Sequence, residues 1–218
     1  MSQVFHVDPA RPDEAEPWLE AAAEALAGGG LIVFPTETVY GLACRPDDPA
    51  ATDRLFQAKQ RPRNLNLPVL ANAAEAAWKI AAPNMAARKL AGVFWPGPLT
   101  LILPRAERSR PWHVGEVTST IAVRVPDHPL CLALLARTGH LAATSANRSG
   151  HAPLSDPRQL VTAFGDSVGV YLLLAPGAPP PSGEASTVVD LSGERPRVTR
   201  LGVVTMEAIS GCLSAEGG

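Results

Sequence analysis

Twenty-two prolines and 18 glycines cut this 218-residue chain into short segments, and the apolar period changes from one segment to the next. No internal repeat and no long low-complexity tract interrupts them. Strand-like runs occur at Gln3–Val7, Leu31–Phe34, Leu67–Ala71, Leu99–Leu103, Thr120–Val125, Leu141–Thr144, Val168–Leu174, Ser186–Leu191 and Arg197–Arg200. Between them lie segments of helical period. The first carries Trp18, Ala22, Ala25 and Leu26 and stops at Gly28–Gly30. Asp48 before Pro49 is a cap and first-turn pair for a helix through Ala58. Asn72 with Glu75 suggests a capping-box start. Further helices are expected around Ala86–Ala91, after an Asp127 cap up to Gly139, over Asp156–Phe164 and after Thr205. Strands alternating with helices predict an α/β fold with a twisted mixed sheet. The segment Ala175–Gly183 (APGAPPPSG) reads as a loop, because the strands beyond it are too few to fold alone. A single domain over 1–218 follows.

Composition narrows the function classes. Hydrophobic residues make up 46% and charged residues 18%, too apolar and too weakly charged for a disordered chain. A formal net charge of −2 excludes a generally basic nucleic-acid coat and leaves a local basic cleft open. No uncharged apolar run reaches the ~18 residues of a membrane span. The first residues lack the basic start and apolar stretch of a secretory signal, so a cytoplasmic protein is expected. Cys44, Cys131 and Cys212 are odd in number and far apart, which suits neither a disulfide framework nor a CxxC metal site. Cys131, in PLCLALLA, reads as a small buried hydrophobe. The five histidines show no metal-ligand spacing.

Polar motifs follow two of the strands. PTETVYGL comes after Leu31–Phe34 and TSANRSG after Leu141–Thr144, where loops of open α/β sheets gather ligands beyond strand ends. Either motif alone reads equally as a hydroxyl-rich turn. Lys59, Arg61 and Arg63 follow a helix; they read as a solvated helix end or as a grip on phosphate. Period two on 120–125 puts Thr120, Ala122 and Arg124 on one face and Ile121, Val123 and Val125 on the other. That polar face suits a pocket floor or a solvent-facing strand. The same question attaches to Ser186 and Asp190. Neither a GxxxxGK[ST] nor a GxGxxG motif is present.

Taken together, PTETVYGL, the KxRP of Lys59–Pro62, WPGPLT, TIAVRVP, SANRSG and STVVDL followed by Arg200 stand in the order found in the YrdC-like family, which the chain resembles over roughly residues 30–209. The resemblance implies a twisted mixed sheet with a concave basic cleft and threonylcarbamoyl-AMP synthase activity. L-Threonine, bicarbonate or CO2, and ATP would give threonylcarbamoyl-AMP and pyrophosphate, for modification of the adenosine beside the anticodon in tRNA. It assigns Thr36, Arg124, Ala143 and Ser186 to threonine, and Lys59, Arg61, Thr120, Ser145, Asn147 and Arg200 to ATP. No covalent nucleophile, no protein-held metal and no tightly bound organic cofactor are implied. Mg2+ would come with the nucleotide. The product would pass to a tRNA threonylcarbamoyl transfer complex; direct RNA contact is left open, and no membrane contact is implied. Asn66, Leu70 and Pro153 stand where the family usually has proline, often has histidine and usually has serine. The chain looks like the short form, without an additional C-terminal domain. The alternatives are a relative that handles carbamoyl-adenylate and a non-catalytic RNA-binding module.

Overall fold

The computed structural model describes residues 2–11 and 14–214; Met1, Pro12, Asp13 and 215–218 of the expected 1–218 domain lie outside the described residues. In chain order the strands are β1 (Gln3–Val7), β2 (Ile32–Phe34), β3 (Gly41–Cys44), β4 (Val69–Leu70), β5 (Leu99–Pro104), β6 (Thr120–Arg124), β7 (Leu141–Ser145), β8 (Val170–Leu174), β9 (Thr187–Asp190) and β10 (Arg197–Arg200). They form one mixed sheet in the order β1–β8–β2–β3–β7–β4–β6–β5–β9–β10. The helices are α1 (Glu16–Ala27), α2 (Pro49–Lys59), α3 (Ala74–Trp78), α4 (Met85–Phe94), α5 (Pro129–Thr138), α6 (Pro157–Phe164) and α7 (Met206–Ser214). Helix α1 packs on β2, β8 and α5, α2 on β3, α6 on β8, and α4 on β5 and α7. The α/β expectation holds. Among the described residues no helix is long and apolar enough to cross a membrane.

Local chemistry accounts for most boundaries. Asp48 Oδ1 accepts the amides of Ala50 at 2.9 Å and Ala51 at 3.1 Å, and Pro49 supplies the preset first turn of α2. Such a cap is worth about 1 kcal/mol. Asp156 caps α6 through the amide of Arg158 at 2.8 Å. Two other expected caps differ. Helix α5 is entered through His128 with Pro129 in its first turn, so Asp127 lies one residue too early to cap it. Ala73, extended at φ −157°, precedes α3, and Asn72 makes no cap there. Strand β4 has two residues, although the amides of Leu67 and Ala71 on either side still find Val114 and Arg124 carbonyls.

Strand β3 falls outside the strand-like runs of the sequence, and its first residue, Gly41, is one that weakens a strand. Its glycine has a packing reason: Gly41 pairs with Phe34, and a Cβ there would stand 2.8 Å from the Phe34 ring. Cys44 and Cys131 are buried as small apolar side chains. Burial pushes the Cys44 thiol up to about 12 and raises Cys131 as well.

Candidate functional site

The strand registers put a set of polar residues on one face of the sheet. Gly41 pairs with Ser145, Leu70 with both Leu141 and Arg124, Thr100 with Val188, and Val188 with Arg200. Paired residues point the same way, and side chains alternate along each strand. Gly41, Ala143, Ser145, Leu70, Arg124, Thr100 and Arg200 therefore share a face, as does Ser186, two residues before Val188. The opposite face carries Leu42, Val69, Leu101, Leu103, Ile121, Val123 and Ala142, all buried. The cavity lies over the polar face, lined there by residues of seven strands and rimmed by the loops at 36–39, 61–68 and 185–186. Its wall is the sheet itself and not only the loops beyond strand ends, because Gly41 and Ala143 carry little or no side chain on this face.

The PTET turn is built by its own hydroxyls. Thr36 Oγ1 donates to the Val39 carbonyl at 2.6 Å and accepts the amides of Thr38 and Val39 at 3.3 and 3.2 Å. Thr38 Oγ1 lies 2.9 Å from Thr36 Oγ1 and accepts from Arg124 Nη2 at 3.0 Å. Arg124 Nη2 also donates to Glu37 Oε1, and Arg124 Nε donates to the Gly97 carbonyl at 3.1 Å. Both hydrogens of Nη2 are thereby engaged within the protein. The 175–183 loop is tied to the same turn: Ser182 N and Gly183 N donate to the carbonyls of Glu37 and Thr38 at 3.0 and 2.8 Å.

The three cations of the KQRPR stretch part company at Gln60, which ends α2 in the left-handed region at φ 53°. Lys59, 1% exposed, points inward. Its Nζ donates to the carbonyls of Ser145 at 2.6 Å and Asn147 at 2.7 Å, and to Asn147 Oδ1 at 3.3 Å. Asn147 Nδ2 in turn donates to the carbonyls of Arg148 and His151. Arg61 lines the cavity while its guanidinium donates to the carbonyls of Leu65 and Asn66. Arg63 bridges Asp53 at 2.8 Å and lies over the Phe56 ring, which is the solvated-helix-end reading for that one residue.

On the far side, Arg200 donates through Nε to the Ser186 carbonyl at 3.0 Å and through Nη2 to Ser186 Oγ at 2.9 Å. Ser186 Oγ also meets Thr100 Oγ1 at 2.9 Å. Burial lowers the pKa of Lys59 to about 8, with Arg61 adding repulsion. Burial also lowers Arg61, helped by Arg200, and Arg200, helped by Arg124. The four cations form a series in which each feels the next.

Of the ten residues singled out in the sequence, the structure brings Thr36, Arg61, Arg124, Ala143, Ser145, Ser186 and Arg200 together around the cavity. Lys59 and Asn147 do not line the cavity; Lys59 bonds to Ser145, the last residue of β7, and to Asn147 two residues beyond it. Thr120 shares the face of Arg124 but sits four residues along β6, about 13 Å away at strand rise. Thr38 and Thr100 line the cavity and Glu37 meets Arg124, although none of the three stands out in the sequence. Thr38 and Thr100 lie inside quoted motifs and could have been found by alternation from Thr36 and Leu99. Asp190, paired with Arg197 at 3.1 Å, does not line the cavity. Leu70 and Pro153 do, and Asn66 instead holds Val117 through both its amide atoms. Among the described residues no three His, Cys, Asp or Glu side chains are grouped to hold a metal ion.

A family model described as Telomere recombination, Sua5_yciO_yrdC, matches residues 24–202. A threonylcarbamoyl-AMP synthase of Chromohalobacter salexigens is 41% identical over 177 residues, 79% of this chain and 92% of that one. Escherichia coli YciO superposes with a TM-score of 0.84 at 27% identity, covering 96% of this chain and 100% of that one. P. abyssi Sua5 complexed with L-threonine gives a TM-score of 0.80 at 30% identity over 98% of this chain; the chain spans 60% of that protein.

Proposed function

The chain belongs to the Sua5/YciO/YrdC family, and on that premise we propose that its cavity joins L-threonine, CO2 or bicarbonate, and ATP into threonylcarbamoyl-AMP with release of pyrophosphate. The observation that carries this reading is the series of cations and hydroxyls on one sheet face, running from Arg124 to Arg61. Threonine takes the Arg124 side, near Thr36, Ala143 and Ser186. Arg124 Nη1 is the donor left facing the threonine carboxylate. ATP takes the side of Arg200, Arg61 and Ser145, with Lys59 shaping the Ser145–Asn147 segment. Thr120 stands where the far end of an extended nucleotide would reach.

Threonine's amine adds to CO2 to give a carbamate and a proton. A carbamate oxygen then attacks the α-phosphorus, and pyrophosphate leaves. Such a nucleotidyl transfer needs positioning and charge stabilisation more than a protein nucleophile. Arginines supply both. Side chains lining the cavity are hydroxyl, cationic and apolar, which suits Mg2+ arriving as part of the nucleotide, held by phosphates and water. The product serves a tRNA threonylcarbamoyl transfer system in the cytoplasm.

The test is pyrophosphate release with threonine, bicarbonate and ATP-Mg together and each omitted in turn. Turnover only with all three is expected. Equal turnover without threonine would overturn the reading in favour of an ATPase or a carbamoyl-phosphate reaction. tRNA binding with no turnover would favour an RNA-binding module.

A further inference from the structure

Arg124, alone among the four cations of the series, has a carboxylate partner among the described residues. Lys59, Arg61 and Arg200 bond to carbonyl, amide and hydroxyl oxygens, whereas Arg124 meets Glu37. Glu37 does not line the cavity, although its neighbours Thr36 and Thr38 do. Its Oε1 takes Arg124 Nη2, and its Oε2 is buried with no protein partner among the described residues. Among the described residues its one polar contact is Arg124. The titratable groups that feel it, His128 and Cys131, are both buried, and burial disfavours the charged form of each. Neither cancels the carboxylate.

We propose that Glu37 is a positioning residue that sets specificity, making the Arg124 side of the cavity receive a zwitterionic amino acid and refuse a polyphosphate. A guanidinium backed by a carboxylate keeps its hydrogen bonds but projects a dipole where it would otherwise project a full charge. One substrate carboxylate can still be met by Nη1. A triphosphate or pyrophosphate, held chiefly by net charge, is drawn to Arg200, Arg61 and the buried charge of Lys59. Rejection of the wrong group is as much a part of specificity as attraction of the right one. Without Glu37 the cavity would carry cations along its whole length, and the two substrates would compete for both ends. The inference rests on the proposed placement of threonine and ATP.

The experiment measures threonine binding by calorimetry, with and without inorganic pyrophosphate, in wild-type protein, Glu37→Gln and Glu37→Asp. Wild type and Glu37→Asp should show a threonine Kd that pyrophosphate leaves unchanged. In Glu37→Gln, which keeps an acceptor oxygen and loses the charge, pyrophosphate should displace threonine, raising its apparent Kd by roughly tenfold. A Glu37→Gln protein whose threonine Kd ignores pyrophosphate would overturn the inference. Competition already present in wild type would do the same, so the wild-type arm decides even if Glu37→Gln does not fold. Wild-type protein that binds no threonine at all would instead overturn the proposed function and the inference with it.

Discussion

Lys59 and Asn147, 88 residues apart in sequence, are joined by two hydrogen bonds from Nζ, at 2.7 Å to the main-chain oxygen and 3.3 Å to the side-chain oxygen. With the bond to Ser145 at 2.6 Å, all three donors of the ammonium are used inside the protein. In the proposed reaction Lys59 would therefore act on ATP through the shape of the Ser145–Asn147 segment and through its charge.

Replacing Lys59 by methionine leaves buried acceptors unsatisfied and should cost about 1–3 kcal/mol of stability. A pH signature accompanies it. Burial holds the amine at about 8 in the folded chain, below its ordinary 10.5, so the unfolded chain binds more protons between those values. Wild-type stability should rise with pH through that window, and Lys59→Met should lack the rise. Urea unfolding on either side of pH 8 checks both.

Arg61 and Arg200 line the same cavity with different partners, so their alanine variants should separate. Arg61→Ala should weaken ATP by about one to two decades, the loss of a charge-assisted hydrogen bond, and leave threonine nearly untouched. Arg200→Ala removes the donors that hold Ser186 and should raise the apparent KM for both substrates. Equal effects on ATP alone in both variants would detach Ser186 from threonine.

Arg124→Lys keeps a charge for Glu37 but cannot also hold Thr38 and Gly97 with the reach of a guanidinium. The apparent KM for threonine should rise by at least about tenfold, more than that for ATP. Arg124→Ala leaves the half-buried Glu37 carboxylate unpaired and should cost about 1–3 kcal/mol of stability. Kinetics together with urea midpoints measure the two effects; wild-type threonine saturation in the lysine variant would remove Arg124 from the site.

Thr120→Ala tests how far the nucleotide extends. Loss of one neutral hydrogen bond should raise the ATP KM by about three- to tenfold and leave the threonine KM unchanged. An unaltered ATP KM would place the nucleotide entirely on the Arg61 side.

Element order and type were legible in the sequence because they rest on near neighbours. Asp48 and Asp156 cap helices through amides two or three residues away. Alternation along 120–125 separated the face of Thr120 and Arg124 from that of Ile121 and Val123, and the register bears this out. Strand β3 escaped for the same local reason in reverse: the need for Gly41 lies in the Phe34 ring and not in the neighbouring residues.

The motifs of this chain, read by themselves, determined its α/β class and its family, and they named the residues around which the cavity forms. Which donors those residues keep for a substrate was decided only by the tertiary structure. Lys59 and Arg61, two positions apart with Gln60 left-handed between them, take different partners: Lys59 spends its donors on Ser145 and Asn147, Arg61 on the carbonyls of Leu65 and Asn66. Arg124 turns Nη2 to Glu37 and Thr38, which lie 87 and 86 residues before it. A residue's type limits how many hydrogen bonds it can make; the partners brought within reach by packing of distant segments settle how many remain.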